Sequence, residues 1–110
     1  MKIEFNTTKL AKACSSDKAM RRNWSPEMAR KLQQRLADLE AATSLADMSA
    51  LPGGCHELRG DRAGCVAIAL VQPYRLIFRP NHDPLPTKPD GGLDRARVTS
   101  ILIEDVVDYH

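Results

Sequence analysis

The chain of 110 residues carries imidazole, guanidinium, phenol and carboxylate side chains where its pattern places strand ends and turns. The set consists of His56, Arg59, Arg62, Arg75, Asp108, Tyr109 and His110. Its last three members directly follow the β-branched pair of "VVDYH", which indicates an end held in a sheet rather than a frayed terminus. If the strands are neighbours, these polar residues gather at one edge of the sheet.

This combination of side chains suits the cleavage of RNA. RNA is cut by its own 2′-hydroxyl when a base removes that proton and an acid protonates the leaving oxygen. Fixed arginines stabilise the extra negative charge of the phosphorane that forms on the way, and an aromatic ring can stack on a splayed nucleotide. The sequence has no acidic cluster that would hold magnesium, so we expect neither a metal nor a cofactor.

Each of these residues also has an ordinary structural explanation. Arg75 lies in mid-strand and could form a structural ion pair, and Arg62 could brace its turn. A single histidine is more often a surface or hydrogen-bonded residue than a catalyst. We interpret a further histidine, His82, as solvent-exposed. It is the combination of two imidazoles with several arginines that favours phosphodiester chemistry.

The first half of the chain predicts one short strand followed by helices. "KIEFN" alternates apolar and polar residues as a strand does, and "TTKLAKACSSDKAMRRNW" predicts one loose helix. The clearest helix begins with Ser25 as its N-cap and Pro26 in its first turn. Its apolar stripe consists of Met28, Leu32, Leu36 and Leu39. The residues predicted to face solvent, or alternatively to bind a partner, are Arg30, Lys31, Gln34, Arg35 and Asp38.

The second half of the chain predicts strands. "LADMSAL" indicates a short helical turn that ends at "PGG". The predicted strands are "CHEL", the buried "CVAIALV", the alternating "YRLIF" and the final "ARVTSILIEDVVD", with "RGDRAG" as the first turn. The segment from Pro80 to Asp94 predicts a long exposed loop. This order predicts an α+β fold, with an antiparallel sheet of four to five strands against two to three helices, in one domain of residues 1–110.

The composition is typical of a globular protein, with 43% apolar and 27% charged residues. A net charge of +2 permits an anionic partner without requiring one. The longest apolar run falls well short of the roughly 20 residues of a membrane span, and the N-terminus contains no signal peptide. We therefore expect a cytoplasmic protein. Cys14, Cys55 and Cys65 lack CxxC spacing and are expected as free thiols, since a zinc site would need a further ligand from elsewhere.

Three segments, "LPGGCHELRGDRAGCVAIAL", "PYRLIF" and "VVDYH", resemble the HigB branch of the RelE/ParE-type toxins of bacterial type II toxin–antitoxin systems. Members typically contain a Leu-Pro stretch, an "H-x-L-[KR]-G-x-R-x-G" turn, a "[WY]-R-[LI]-x-F" strand and a final "D-Y-H". All four occur here in that order, and the helical half matches in organisation. Relatives carry names built on plasmid maintenance killer or killer suppression.

The resemblance implies a RelE-like sheet flanked by helices, and cleavage of messenger RNA in the ribosomal decoding site without a metal. The catalytic residues that it implies are His56, Arg75, Asp108, Tyr109 and His110. Asp108 and His110 would be the pair that handles protons. Arg59 would contact the scissile phosphate, and Arg62 would bind messenger or ribosomal RNA.

The implied partners are messenger RNA on the 30S subunit and a HigA-like helix-turn-helix antitoxin, through which alone the pair would bind operator DNA. Two alternatives stay open, a gyrase-targeting ParE-like toxin and an inactive module that only binds the antitoxin. Paired proton-transfer groups argue against a gyrase inhibitor, which needs none. The loop after Pro80 is longer than in the family's simplest members, and it could contact the ribosome, cover the antitoxin interface or simply be tolerated. We also expect an extension after His110 to interfere with the site.

Overall fold

The computed structural model describes residues 1–108, so Tyr109 and His110 lie outside the described residues. It contains one five-stranded sheet with the strand order β1-β5-β4-β3-β2. The strands are β1 Lys2–Phe5, β2 His56–Glu57, β3 Val66–Ala69, β4 Tyr74–Pro80 and β5 Ser100–Asp108. The helices are α1 Thr8–Ala13, α2 Asp17–Asn23 and α3 Pro26–Ala41, with 3₁₀ helices at Leu45–Ala50, Gly60–Arg62 and Arg95–Arg97. The predicted α+β class is confirmed.

The sheet is mixed rather than wholly antiparallel. Strands β2 to β5 form an antiparallel meander, whereas β1 runs parallel to β5, from Lys2 opposite Ser100 to Phe5 opposite Ile103. Parallel neighbours need a long connection between them, and here the three helices and the meander supply it. The alternating pattern of a strand identifies its faces but not its direction, so the sequence did not predict this pairing.

The main core lies between α3 and one face of the sheet, which we call the helix face. Because side chains alternate along a strand, every second residue of each strand points into this core. The buried strand residues of the helix face are Val66, Ile68, Leu76, Phe78, Ile101 and Ile103. From α3, Met28, Leu32 and Leu39 are buried against them and Leu36 is partly buried, which confirms the predicted apolar stripe.

The segment predicted as one loose helix forms two helices, α1 and α2, with a break at Cys14–Ser16. The two serines of "CSS" explain the break, because serine side chains satisfy backbone groups that a continuous helix would pair itself. Ser15 Oγ donates to the carbonyl of Lys12 at 2.7 Å. Ser16 Oγ accepts from the N–H of Ala19 at 3.0 Å and so caps α2.

Both ends of α3 are capped by specific groups. Ser25 Oγ accepts a hydrogen bond from the N–H of Met28 at 3.0 Å, which confirms the predicted N-cap. At the other end, where the last turn has no basic side chain, the amino group of Met1 donates to the carbonyls of Leu39, Glu40 and Ala42. A positive charge there also complements the helix dipole.

Arg35 of α3 was predicted to face solvent, and this prediction is wrong. Its side chain is buried, and its Nε atom donates to the carbonyl of Ala69 at 2.9 Å. The nearest carboxylate, on Asp38, is 4.0 Å from Nη1. The guanidinium lies against the backbone of Gly53, where no side chain obstructs it. Arg35 thus joins α3 to the end of β3.

The loop between β4 and β5 is folded back on the sheet rather than extended. His82 is half-buried and its Nε2 atom accepts from the backbone N–H groups of Thr99 (3.1 Å) and Ser100 (3.2 Å), so the expectation of a solvent-exposed ring is wrong. Further along, Arg95 forms an ion pair with Glu57 of β2 at 3.3 Å. These contacts hold the loop against the edge of the sheet. Within residues 1–108, no helix combines the length and apolar character needed to cross a bilayer.

Candidate active site on the open face of the sheet

The face of the sheet opposite α3, which we call the open face, carries several of the predicted site residues. Two rows of paired residues cross it. In the first row His56 pairs with Ala67, and Ala67 with Ile77. In the adjacent row Arg75 of β4 lies between Ala69 and Val107. Since paired residues point to the same side of a sheet, the imidazole of His56 and the guanidinium of Arg75 both belong to the open face.

A small second apolar cluster underlies these polar groups. Leu58, Cys65, Ala67 and Ile77 are buried in it, and Val107 packs against it in part. The strand between β2 and β4 contributes only alanines to the open face, Ala67 and Ala69. One strand, β3, therefore separates the strand of His56 from the strand of Arg75, a distance of about 10 Å or twice the spacing of neighbouring strands.

His56 lies on β2, an outermost strand of the sheet. Its ring is exposed, and Nδ1 lies 2.8 Å from the carbonyl oxygen of Gly54. A carbonyl only accepts hydrogen bonds, so Nδ1 carries the proton. In the neutral ring Nε2 is then the unprotonated nitrogen, and within residues 1–108 it has no hydrogen-bond donor. This is the state that a general base requires.

The two arginines of the open face differ in what they contact. Arg79 forms an ion pair with Glu104, and its Nη2 lies 3.6 Å from the Sγ of Cys65. Arg75 is half-buried and, within the described part of the chain, forms neither an ion pair nor a side-chain hydrogen bond. The sequence reading allowed a structural ion pair for Arg75. The structure assigns that role to Arg79 instead, and Arg75 keeps its five N–H donors available for a ligand.

Arg59 and Arg62 lie in the turn between β2 and β3. Arg59 is exposed and Arg62 is half-buried, and neither side chain has a hydrogen bond or ion pair within residues 1–108. The turn is instead held by its backbone, since the N–H of Cys65 donates to the carbonyl of Arg62 at 3.0 Å. Both guanidiniums thus lie beside the strand of His56 without a bracing contact of their own.

The terminal triplet is only partly described. Asp108 is the last residue of β5 and pairs with Tyr74. It is one residue out of phase with Val107, which pairs with Arg75, so the alternation directs Asp108 away from the open face. The structure therefore brings together His56 and Arg75, with Arg59 and Arg62 nearby, but does not place Asp108 in the same row. The predictions for Tyr109 and His110 lie outside the described residues.

Sequence reasoning missed a cleft formed by Trp24 and Tyr74 on the other side of β4. The cavity has a volume of about 230 Å³, and its lining consists of Asn23, Trp24, Ser25, Met28, Val71, Gln72 and Tyr74. We call it the Trp24–Tyr74 cleft. Among residues 1–108, no charged side chain lines it. The only sequence signal was that both residues are large aromatics next to predicted element boundaries.

All three cysteines carry free thiols. Burial raises the pKa of Cys14 to about 11. Burial also raises the pKa of Cys55, with the nearby Arg95 acting in the opposite direction. Among residues 1–108 no three His, Cys, Asp or Glu side chains are grouped as a metal site would require. The raised pKa values indicate thiols that pack as small apolar side chains.

The raised pKa of Cys14 predicts slow alkylation that keeps accelerating up to about pH 11. The thiolate is the reacting form. At pH 8 the rise of the Cys14 pKa from 9.0 to about 11 reduces the thiolate fraction about a hundredfold. A thiolate of higher pKa is a better nucleophile, and this offsets part of the loss. In a chain with Cys55→Ser and Cys65→Ala, we expect iodoacetamide to label Cys14 about tenfold more slowly in the folded than in the urea-unfolded state. Equal rates in the two states at pH 8 would contradict this prediction.

Comparison with known proteins identifies a structural relative. No protein-family model and no curated protein matches the chain. A YoeB/ParE toxin from Agrobacterium tumefaciens has the same fold, with a TM-score of 0.59 and 13% identity, over 100% of both chains. A likeness at this identity establishes the architecture, and it agrees with the fold that the motifs implied. The chain therefore shares its fold with this YoeB/ParE toxin.

Proposed function

We propose that the chain is the toxin of a type II toxin–antitoxin pair and cleaves messenger RNA on the ribosome without a metal, as a member of the HigB branch. The observation that carries the proposal is that His56 and Arg75 lie on the same face of the sheet and that, within residues 1–108, neither His56 Nε2 nor the Arg75 guanidinium has a partner. The full-length likeness to a YoeB/ParE toxin supports the toxin assignment.

In the proposed reaction His56 Nε2 takes the proton of the 2′-hydroxyl, and the resulting oxygen attacks the adjacent phosphorus. Arg75 stabilises the negative charge that develops on the phosphorane oxygens. The bond from phosphorus to the 5′-oxygen then breaks, and His110 supplies the proton that this oxygen takes up. The products are a 2′,3′-cyclic phosphate and a 5′-hydroxyl. We also assign Tyr109 and Asp108 to the catalytic set, Asp108 from the face of the sheet opposite Arg75, and Arg59 and Arg62 to binding RNA.

The proposed partner that silences the toxin is a HigA-like helix-turn-helix antitoxin, through which the pair would bind operator DNA. A net charge of only +2 favours RNA binding by local arginines together with the ribosome, rather than by a strong general field. We therefore expect little cleavage of free RNA, and a cytoplasmic site of action.

A gyrase-targeting toxin is the second candidate, because the structural relative carries both the YoeB and the ParE name. An inhibitor of gyrase has no use for an imidazole and a guanidinium that share one face of the sheet and, within residues 1–108, leave His56 Nε2 and the Arg75 side chain without a partner, and for this reason we place it second. A chain that only binds the antitoxin is the third. Gyrase–DNA cleavage complexes after induction would favour the second candidate.

Primer extension on a reporter messenger after brief induction tests the proposal. We expect cuts inside the translated region that disappear in the His110→Ala variant and disappear when translation initiation is blocked. The cyclic phosphate at the new 3′ ends checks the chemistry. Growth arrest without such cuts would exclude the nuclease, and antitoxin binding without growth arrest would support the inactive module.

A further inference from the structure

The Trp24–Tyr74 cleft lies where β4 begins, with the end of α2 on one side and the turn before β4 on the other. It holds two of the chain's five aromatic residues, and Tyr74 is 36% exposed although it is a large side chain at a strand start. We propose that this cleft binds one unstacked base of a single-stranded RNA, with the neighbouring phosphates held by Arg30 and Lys31.

The lining of the cleft favours a neutral planar ligand over a phosphate. Two aromatic side chains supply ring faces, on which any base can stack, and Met28 and Val71 supply apolar contacts. A volume of about 230 Å³ suits one base rather than a paired helix. A phosphate would need a cation at the lining, and the cleft has none.

Polar groups around the cleft are available for the edge of a base. Within residues 1–108, the indole N–H of Trp24, the amide of Gln72 and the hydroxyl of Tyr74 have no hydrogen-bond partner in the protein. Asn23 uses one N–H on the carbonyl of Ala19 at 2.8 Å and keeps its amide oxygen. Donors and acceptors of this kind read base edges in single-stranded RNA.

A second cavity continues from the cleft along α3 and carries the positive charge that a strand needs. Its volume is about 480 Å³, it shares Val71 with the cleft, and its lining includes Arg30, Lys31 and Gln34 together with Glu27. Neither Arg30 nor Lys31 forms an ion pair within the described part of the chain. An aromatic cleft that leads into a cationic groove is the arrangement by which proteins bind single strands.

The cleft lies at the start of β4, on the face of the sheet opposite the candidate active site. Tyr74 precedes Arg75 in the chain and pairs across the sheet with Asp108. A strand whose base is held by Tyr74 would pass around the end of β4 to reach the open face. The inference rests on the proposed function only for the identity of the strand as RNA.

Trp24 is the chain's single tryptophan, so its fluorescence reports directly on the cleft. The probe is 2′-O-methyl hexa-adenylate, which lacks the 2′-hydroxyl and cannot be cleaved, titrated into the purified chain at 50 mM salt. An abasic hexamer with the same phosphates is the control. We expect saturable quenching by the probe and none by the abasic control. Tyr74→Leu should weaken binding about 5- to 100-fold, whereas Leu85→Ala, an exposed apolar residue in another loop, should not.

The salt dependence tests the phosphate groove separately. Each phosphate contact to a single strand contributes about 0.7 to the slope of log K against log salt. Replacing Arg30 and Lys31 together by alanine should lower that slope by about 1.4. The matched control replaces the exposed Lys12 and Lys18 by alanine, which removes the same charge elsewhere, and should leave the slope unchanged. Equal slopes in both double variants would overturn the phosphate part of the inference.

Circular dichroism checks that Tyr74→Leu is folded. Gln72→Ala changes an exposed turn residue and is the second variant; it should bind the probe a few times more weakly. Quenching by the abasic oligomer as well, or no quenching by either oligomer, would overturn the inference. The inference would also be overturned if N-acetyl-leucine amide changed the Trp24 fluorescence and displaced the hexamer while adenosine changed nothing. That outcome indicates a pocket for a protein side chain. The probe cannot be cleaved, so its binding does not depend on nuclease activity. If the probe quenches Trp24 and the abasic control does not, but no messenger is cleaved in cells, this inference is supported and only the nuclease proposal is overturned.

Discussion

Replacing Arg75 by alanine is expected to reduce messenger cleavage about 10²- to 10³-fold, the usual loss when one charge-stabilising group is removed from a transition state. The same change should leave the free energy of unfolding within about 0.5 kcal/mol, because Arg75 has no ion pair or side-chain hydrogen bond within residues 1–108. Primer extension on the reporter measures the first quantity, and urea unfolding of the purified protein measures the second.

Arg79→Ala is the matched control, since it removes the same charge from the same strand and face. Arg79 is committed to Glu104 and contacts the Sγ of Cys65, so its loss should destabilise the fold by about 1 kcal/mol. Cleavage per folded molecule should change little. If Arg79→Ala abolished cleavage while Arg75→Ala did not, the assignment of the phosphate-binding arginine would be reversed.

Gly53→Ala is expected to destabilise the protein by about 2–5 kcal/mol, the sum of a left-handed backbone penalty and an overpacked core. Gly53 has φ +117°, and an added Cβ would lie 2.6 Å from Cγ1 of the fully buried Ile68 and 3.2 Å from Cζ of Arg35. Its carbonyl also accepts from the N–H of Ala69 at 2.8 Å. Any shift that relieves the clash therefore disturbs the end of β3 and the buried guanidinium.

Gly54→Ala separates the two contributions. Gly54 also has a positive φ, +59°, but an added Cβ would meet no atom within 4 Å. Only the backbone penalty of about 1–2 kcal/mol should remain. Urea unfolding of both variants, under identical conditions, gives the difference. Equal losses for the two glycines would show that the contact with Ile68 and Arg35 carries no energetic weight.

Most of the helices and strands could be predicted because their signals are local. The Ser25 cap acts over three residues, and the stripe of α3 repeats within one turn or two. The alternation of β4 correctly separated Leu76 and Phe78 from Arg75 and Ile77. Such patterns depend on the periods of helix and strand alone, and no knowledge of distant residues is needed to interpret them.

The candidate site was predicted as a set of residue types and motifs, but not as an arrangement. The motif around His56 and the strand of Arg75 were identified, and the pairing of both strands with β3 places them on one face. That His56 is on an edge strand, and that Asp108 is out of phase with Arg75, follows from registers that involve residues far apart in the chain.

The sequence by itself determined the element types, the core stripe, the family-like motifs and the residues able to move protons. Only the tertiary structure decided that Arg79 is paired with Glu104 while Arg75 has no ion pair within residues 1–108, that Arg35 is buried, and that Trp24 and Tyr74, 50 positions apart, line one cavity. The physical reason is the range of the interactions. Caps and periodicities act within a few residues, whereas the partner of a charge or a ring is set by how the whole chain packs.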